Sequence, residues 1–313
     1  MTLLQAPTRI LVTGAGGFLG RSLVHRLRAD GHHILATGRG ASPFPPDDGV
    51  VWHPLDLSVP APAWPDLEGV ELVYHLAWST IPASANREPT EDVRVNVMGS
   101  LRLFEALPAD ARPRIVFTSS GGTVYGVLKR VPADEDHPLN PISAYGVSKR
   151  AVEAYLDVFS HETGRSAISL RIGNLYGPGQ ATDKMFGAVT QFSRLVLGGT
   201  PITMFGDGSI TRDYVYIDDV VEALLLAAGS DFAGCLNIGT GEGHSLNAVA
   251  QAVGSALDTT PVVTHQPLRR FDVPVSVLDC RRAEDLLRWR ATTSLADGVA
   301  HTLRYLRTRD ASA

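Results

Sequence analysis

Cysteine is scarce. The 313 residues hold two, Cys235 and Cys280, at a separation that matches neither a disulfide framework nor a metal site, so reduced core thiols are expected. Ten histidines are scattered, His32-His33 among them, and none shows the ligand spacing of a zinc centre. No apolar run approaches the ~20 residues of a membrane span, so no membrane partner is expected. Charge of one sign is not concentrated either: the formal net charge is −5, without a basic block, which argues against nucleic acid as a partner. The first residues carry one cation, Arg9, before a strand begins, which predicts no secretory leader and a reduced cytoplasm as the default compartment. Repeats and low-complexity tracts are missing too. What remains is 44% hydrophobic, 19% charged and 7% aromatic, ordinary for a soluble enzyme with ample core in one large domain or two interlocked ones.

Glycine, by contrast, stands where it has work to do. Arg9-Ile-Leu-Val-Thr13 reads as a buried parallel strand, Gly14-Ala-Gly-Gly-Phe-Leu-Gly20 follows at once, and an amphipathic segment runs to about Ala29. Strand, glycine turn and helix together predict a dinucleotide-binding opening. Gly14 permits the tight turn, Gly17 lets the backbone approach a pyrophosphate, and Gly20 lets helix and strand pack closely. Phe18 and Leu19 open the helix whose N-terminal N–H groups would face the phosphates. The second strand, His33-Ile-Leu-Ala-Thr37, ends in Gly38-Arg39, where an NAD-binding fold usually carries an acid. The position is read as open. Arg39 beside it suits a 2′-phosphate and points to NADP(H), or it stacks on adenine or lies in solvent. Asp56, followed by Leu57 after the third strand Val50-Val-Trp-His53, either meets the adenine amino group or caps the next turn.

Strands at 71–77 and 114–118 continue the alternation, with a helix predicted over 90–107 that carries Val93, Val97, Leu101 and Phe104 at helical spacing and Asn96 among them. Leu76 and the small Ala77 end the fourth strand where backbone would line a cofactor. The pattern gives an α/β fold with a doubly wound parallel sheet of Rossmann type, whose ligands gather beyond the C-terminal strand ends. The fifth strand ends in Ser119-Ser120-Gly121-Gly122-Thr123-Val124-Tyr125-Gly126, and Ser143-Ala-Tyr-Gly-Val-Ser-Lys149 follows. Tyr145 and Lys149, four apart, share one helical face. A phenol titrates near ~10, and a nearby ammonium favours its ionised form, so the pair suits proton exchange with a hydroxyl or carbonyl.

With these motifs and Arg212-Asp-Tyr-Val-Tyr-Ile-Asp-Asp219, the chain resembles an extended short-chain dehydrogenase/reductase of the NAD-dependent epimerase/dehydratase family, in its UDP-galactose 4-epimerase-like nucleotide-sugar branch. The resemblance covers nearly the whole chain. It implies that Tyr145 exchanges the proton of a sugar hydroxyl, while Lys149 binds the nicotinamide ribose and lowers the tyrosine pKa. The family's catalytic Ser or Thr falls on Gly121, leaving Thr123 as the natural substitute and Ser120 as a second candidate. Asn174, Arg212 and Arg269 fall where the family contacts the nucleotide-sugar diphosphate, and two guanidinium groups suit a diphosphate. Asp218 and Asp219 are read as caps of the helix that follows them.

The resemblance also implies a smaller, mixed α/β substrate domain over 174–313, some of whose segments return to the sheet of the 1–173 Rossmann domain. It implies a homodimer, for which Val152, Leu156 and Phe159 are either the contact stripe or ordinary core. The expected substrate is a nucleotide-diphosphate sugar and the cofactor NAD or NADP. The leading activity is 4-epimerisation through a 4-keto sugar. Behind it stands NADPH-dependent 4-keto reduction of a 6-deoxy sugar, motivated by Gly38-Arg39. Dehydration ranks third because Gly122-Thr123 replace the Asp-Glu pair typical of dehydratases. A non-catalytic redox sensor comes last, since such relatives tend to lose the Tyr-Lys pair.

Overall fold

Strands apolar on both sides are stable only when covered on both sides, and the first strands of this chain are of that kind. The computed structural model describes residues 7–46, 48–108, 112–182, 187–269 and 272–310. In chain order the first half comprises β1 (Arg9–Thr13), α1 (Phe18–Ala29), β2 (His33–Gly38), β3 (Val50–Pro54), β4 (Leu72–His75), α2 (Pro82–Arg87), α3 (Pro89–Asp92), a π-helical turn (Val93–Val97), α4 (Met98–Ala106), β5 (Arg114–Ser120) and α5 (Ala144–Thr163). The second half comprises β6 (Ala167–Ile172), β7 (Asn174–Tyr176), α6 (Ala188–Leu197), β8 (Ile202–Phe205), β9 (Thr211–Tyr216), α7 (Ile217–Ala228), β10 (Gly234–Ile238), β11 (Gly243–Ser245), α8 (Leu246–Ala256), β12 (Val263–Gln266), β13 (Val275–Ser276), α9 (Arg281–Leu287) and α10 (Leu295–Asp310).

The main sheet runs β10-β6-β5-β4-β1-β2-β3, and every neighbouring pair is parallel. The order reverses beside β1, which pairs Thr13 with Thr37 on one side and with His75 on the other. That reversal opens a crevice at the strand ends, where ligands of such sheets bind. One apolar cluster under the sheet joins Leu23, Val116, Leu170 and Leu224; the other joins Val73, Phe117, Val152 and Leu156. Val152 and Leu156 are therefore core, and Phe159 packs on Phe104 with ring centroids 5.5 Å apart. The apolar residues that α5 leaves exposed are Val147, Tyr155 and Val158. Smaller sheets, β11-β9-β13 with β7 on β9, and β12-β8, build the rest. Among the described residues no helix is long and apolar enough to cross a membrane.

Three expectations change. The helix over 90–107 is broken into α3, the π turn and α4, preceded by α2. Pro89 lacks an N–H to donate, and the wide turn keeps Asp92 and Asn96 both buried against the loop after β4. Asp219 does not cap α7; it accepts from the backbone of Thr292 and Thr293 and from the Thr292 hydroxyl, fastening the segment before α10. The last helix, whose sequence predicts an end at Arg307 with a frayed tail from Thr308, continues to Asp310, and the Thr308 hydroxyl donates to the Tyr305 carbonyl at 2.8 Å.

Candidate active site

The glycine turn forms a cradle. Gly14 has φ 70°, and a Cβ on it would lie 2.7 Å from the Ala77 nitrogen, so no side chain fits between β1 and the end of β4. A Cβ on Gly20 would run into the Gly14 carbonyl, and one on Gly17 would crowd it at 3.1 Å. Gly17 is also the extended N-cap of α1 and offers no side-chain cap, so the first amides of the helix face the crevice without one. Bare amides above a glycine floor fit the pyrophosphate of a dinucleotide. Phe18, Leu19 and Leu76 line the large cavity that begins here.

The end of β2 is not open. A Cβ on Gly38 would stand 2.8 Å from the Trp52 ring, whose Nε1 donates to the Gly40 carbonyl at 3.1 Å. An indole thus fills the place of the usual acid. Arg39 is exposed beside it. Asp56 accepts from the Ser58 amide at 2.9 Å, and that bond, more than the nearby Arg39, holds its carboxyl below the ordinary range. Leu57 packs on Gly99 of α4. Arg39, Asp56 and Leu57 lie outside the lining of the large cavity.

A directed chain of hydrogen bonds fixes the backbone at Ala77. The Ser100 hydroxyl donates to the Asn96 carbonyl at 2.6 Å, so it accepts from His75 Nε2 at 2.8 Å. His75 Nδ1 then accepts from the Thr13 hydroxyl at 2.8 Å, which accepts from the Ala77 amide at 3.3 Å. Both ring nitrogens are used by the neutral form, and burial, helped by Lys149, pushes the imidazole down to about 3. Asn96 completes the support: its side chain accepts from the Ser79 amide and donates to Thr80 and Asp92. Asn96 therefore pins the loop that carries the cavity wall rather than lining the cavity.

A cavity of about 590 Å³ brings together Ser120, Thr123, Tyr145, Lys149, Asn174, Arg212 and Arg269. Helix α5 begins at Ser143, whose hydroxyl accepts from the Gly146 amide at 3.2 Å, and this cap sets the face on which Tyr145 and Lys149 project. Lys149 Nζ donates to the Thr118 carbonyl at 2.7 Å and lies 3.6 Å from the centre of the Trp78 ring. It is 5.7 Å from the Tyr145 ring centre. Burial, reinforced by Asp92, raises the Tyr145 phenol above its ordinary value, contrary to the expected lowering by Lys149. Burial lowers Lys149 well below the usual range, against the pull of Glu153 and Asp92. Asp92 is itself buried and accepts from Thr80, Asn96 and Ser148.

Gly121 has no room for the missing hydroxyl. A Cβ there would stand 2.5 Å from a Leu278 methyl and 2.9 Å from the Arg171 carbonyl. Thr123 and Ser120 remain, and the Thr123 hydroxyl is buried without a hydrogen-bond partner among the described residues. Beneath them Glu153 accepts from Arg171 Nε and Nη2 at 3.0 and 2.8 Å and from the Ser119 hydroxyl at 2.5 Å, holding the end of β5 to α5 and β6. On another wall Arg269 pairs with both Asp272 oxygens at 2.7 and 3.1 Å and lies over Phe205, while Arg212 donates to the Val273 carbonyl at 2.7 Å. Trp78 and Asp92 are additions that the motifs did not single out; the bulky Trp78 directly after Ala77 was the one visible cue.

A Rossmann sheet, a glycine cradle at its switch point and a Tyr-Lys face in one cavity define an enzyme of the short-chain dehydrogenase/reductase class, here in its extended form. The sequence profile of the "NAD dependent epimerase/dehydratase family" matches residues 10–239, and the chain belongs to that family. It is similar to the UDP-glucose 4-epimerase of Mycolicibacterium smegmatis, at 36% identity over 313 residues, 96% of this chain and 99% of the relative. Its structure resembles that of UDP-glucose 4-epimerase from Thermotoga maritima with UDP-glucose, with TM-score 0.88, 32% identity, and coverage of 96% and 99% of the two chains. It also resembles the Thermus thermophilus UDP-glucose 4-epimerase in complex with NAD, with TM-score 0.86, 35% identity and the same coverage.

Proposed function

We propose that the protein is a nucleotide-diphosphate-sugar 4-epimerase. The observation that carries the reading is a single cavity lined both by Tyr145 and Lys149 of α5 and by Arg212 and Arg269. The arginines suit a diphosphate, with Asn174 alongside, and the Asp272 carboxylate between them keeps both guanidiniums in place until the anion arrives. A nicotinamide dinucleotide on the glycine cradle supplies, when bound, a reversible hydride acceptor, so the sugar carbon passes through a ketone. Tyr145 takes the proton of the sugar hydroxyl and returns it. Burial holds its phenol protonated, which suits the return step; removal of the alcohol proton needs positive charge facing the phenol, and Lys149 one turn on is the ammonium that α5 offers. Thr123, with Ser120 behind it, donates to the developing oxyanion.

NAD is the favoured cofactor, since an enzyme that regenerates it every cycle has no need to exchange it, and the Thermus relative holds NAD. The exposed Arg39 favours a second reading, an NADPH-dependent 4-ketoreductase. Denaturing the purified protein and identifying the released nucleotide by mass spectrometry separates them. Stoichiometric NAD supports the epimerase; NADP(H) or an empty protein supports the reductase. Tyr145→Phe should abolish interconversion of UDP-glucose and UDP-galactose, and unchanged turnover would sink the mechanism. Our reading of the chain as a 1–173 dinucleotide-binding domain and a 174–313 substrate domain follows the same logic. We also propose a homodimer through α5 and the 90–107 helical stretch, where Val93, Met98, Val147, Tyr155 and Val158 are 43–54% exposed.

A further inference from the structure

Trp78 belongs to no motif, yet it touches both members of the Tyr-Lys pair. Its ring face lies 3.6 Å from Lys149 Nζ, its centroid is 5.8 Å from that of Tyr145 in an edge-on arrangement at 70°, and Phe117 packs on it at 6.1 Å. The indole N–H has no hydrogen-bond partner among the described residues. Its placement is therefore decided by ring packing and not by its polar atom. On the opposite side Lys149 donates to the Thr118 carbonyl at 2.7 Å. We infer, on the reading of Tyr145 and Lys149 given above, that Trp78 is a positioning residue: its π face and the Thr118 carbonyl form a two-sided seat for the Lys149 ammonium beside the Tyr145 ring.

The physical need for such a seat is plain. Lys149 is 3% exposed, and an ammonium taken from water loses its charge unless partners replace the hydration. The groups that face it are Glu153 and Tyr145 on α5, Asp92 on α3, His75 on β4, Thr118 and Phe117 on β5, and Trp78 on the loop after β4. The carboxylates of Glu153 and Asp92 favour the cation. Both are already engaged, Glu153 by Arg171 and Ser119, Asp92 by Thr80, Asn96 and Ser148. His75 is neutral. The indole is the nearest uncommitted electron-rich surface, and tryptophan is the best of the aromatic rings for this purpose.

Loss of the seat lowers the midpoint at which Lys149 gives up its proton and weakens the support of an ionised Tyr145. A rate that needs the lysine charged and the tyrosine able to ionise has a bell-shaped pH profile. In Trp78→Leu the basic limb of kcat should fall by about one and a half pH units, from the usual strength of a desolvated cation–π contact. Trp78→Phe should shift it less. The measurement is the kcat profile of the NAD-loaded full chain with UDP-glucose, with KM recorded alongside. A second readout needs no substrate: a double-mutant cycle of Trp78→Leu with Lys149→Met on urea unfolding, run at neutral pH and again above the basic limb. Coupling at neutral pH that fades at high pH supports the seat. A profile whose limbs coincide with wild type while kcat drops, or an additive cycle, overturns it. Should Tyr145→Phe keep its turnover, the mechanism falls, and the cycle still judges Trp78 on its own.

Discussion

Restoring a hydroxyl at the position of Gly121 should harm the protein, although the family pattern places one there. The cause is local. A Cβ on Gly121 meets two Leu278 methyls at 2.5 and 2.9 Å and the Arg171 carbonyl at 2.9 Å. Leu278 is 0% exposed and packs among Val124, Tyr125 and Ala133, so it has no direction in which to retreat. The carbonyl belongs to β6, which is held in register with β5, and Gly121 itself donates to Ile172 at 2.9 Å. The backbone at Gly121 is not left-handed, so the cost is steric and falls equally on Ala and Ser. Overpacking of this kind costs about 1–3 kcal/mol, which for a chain of this size lowers Tm by roughly 1.5–5 °C. Urea unfolding of Gly121→Ala and Gly121→Ser, with the slope unchanged, measures it. Gly122→Ala is the control, because a Cβ there finds its nearest atom, Asn174 Oδ1, at 3.4 Å, and it should lie within about 0.5 kcal/mol of wild type. In a Leu278→Ala background the Gly121→Ala penalty should shrink but not vanish, since the Arg171 carbonyl stays. Equal stability of Gly121→Ser and wild type, or equal penalties at 121 and 122, would refute the packing argument. A gain in kcat in Gly121→Ser would refute the assignment of the hydroxyl to Thr123 or Ser120.

Thr123→Val should lower kcat by about 10²–10³ with little change in stability if its hydroxyl serves the oxyanion; Ser120→Ala should do less, and the reverse order would move the role to Ser120. His75 gives a pH dependence. Its folded value, about 3, lies below the unfolded ~6.5, so the unfolded chain binds the extra proton between these values. Stability is fully present above pH ~6.5 and falls by up to about 1.4 kcal/mol per unit as pH drops below it. Unfolding curves from pH 7 to 5 should show this slope, and His75→Phe, less stable at neutral pH, should flatten it; an unchanged slope in the variant would place the acid sensitivity elsewhere. Val158→Asp should leave the fold intact and turn a dimer into monomers in sedimentation; a wild-type protein that sediments as a monomer would end the homodimer proposal.

The local motifs carried most of the architecture. β1, the glycine turn and α1 were legible because only glycine meets the geometry of Gly14, and a strand of Ile10-Leu-Val12 has no place but between two layers. The Tyr145 and Lys149 face was legible because four residues make one helical turn. Other readings needed the fold. Whether Gly38 was open depended on Trp52, fourteen residues away on the neighbouring strand. Whether Val152 and Leu156 were core or contact surface depended on which side of α5 meets the sheet. Whether Lys149 lowers the tyrosine value depended on burial and on Asp92, and burial prevailed. The breaks at Pro89 and the π turn were set by the buried demands of Asp92 and Asn96. Sequence by itself determined what each segment prefers, through periods and through residues with one permitted geometry. Tertiary structure alone decided which side chains share a cavity and how much water reaches them, because burial, charge and packing are sums over neighbours brought in from distant parts of the chain.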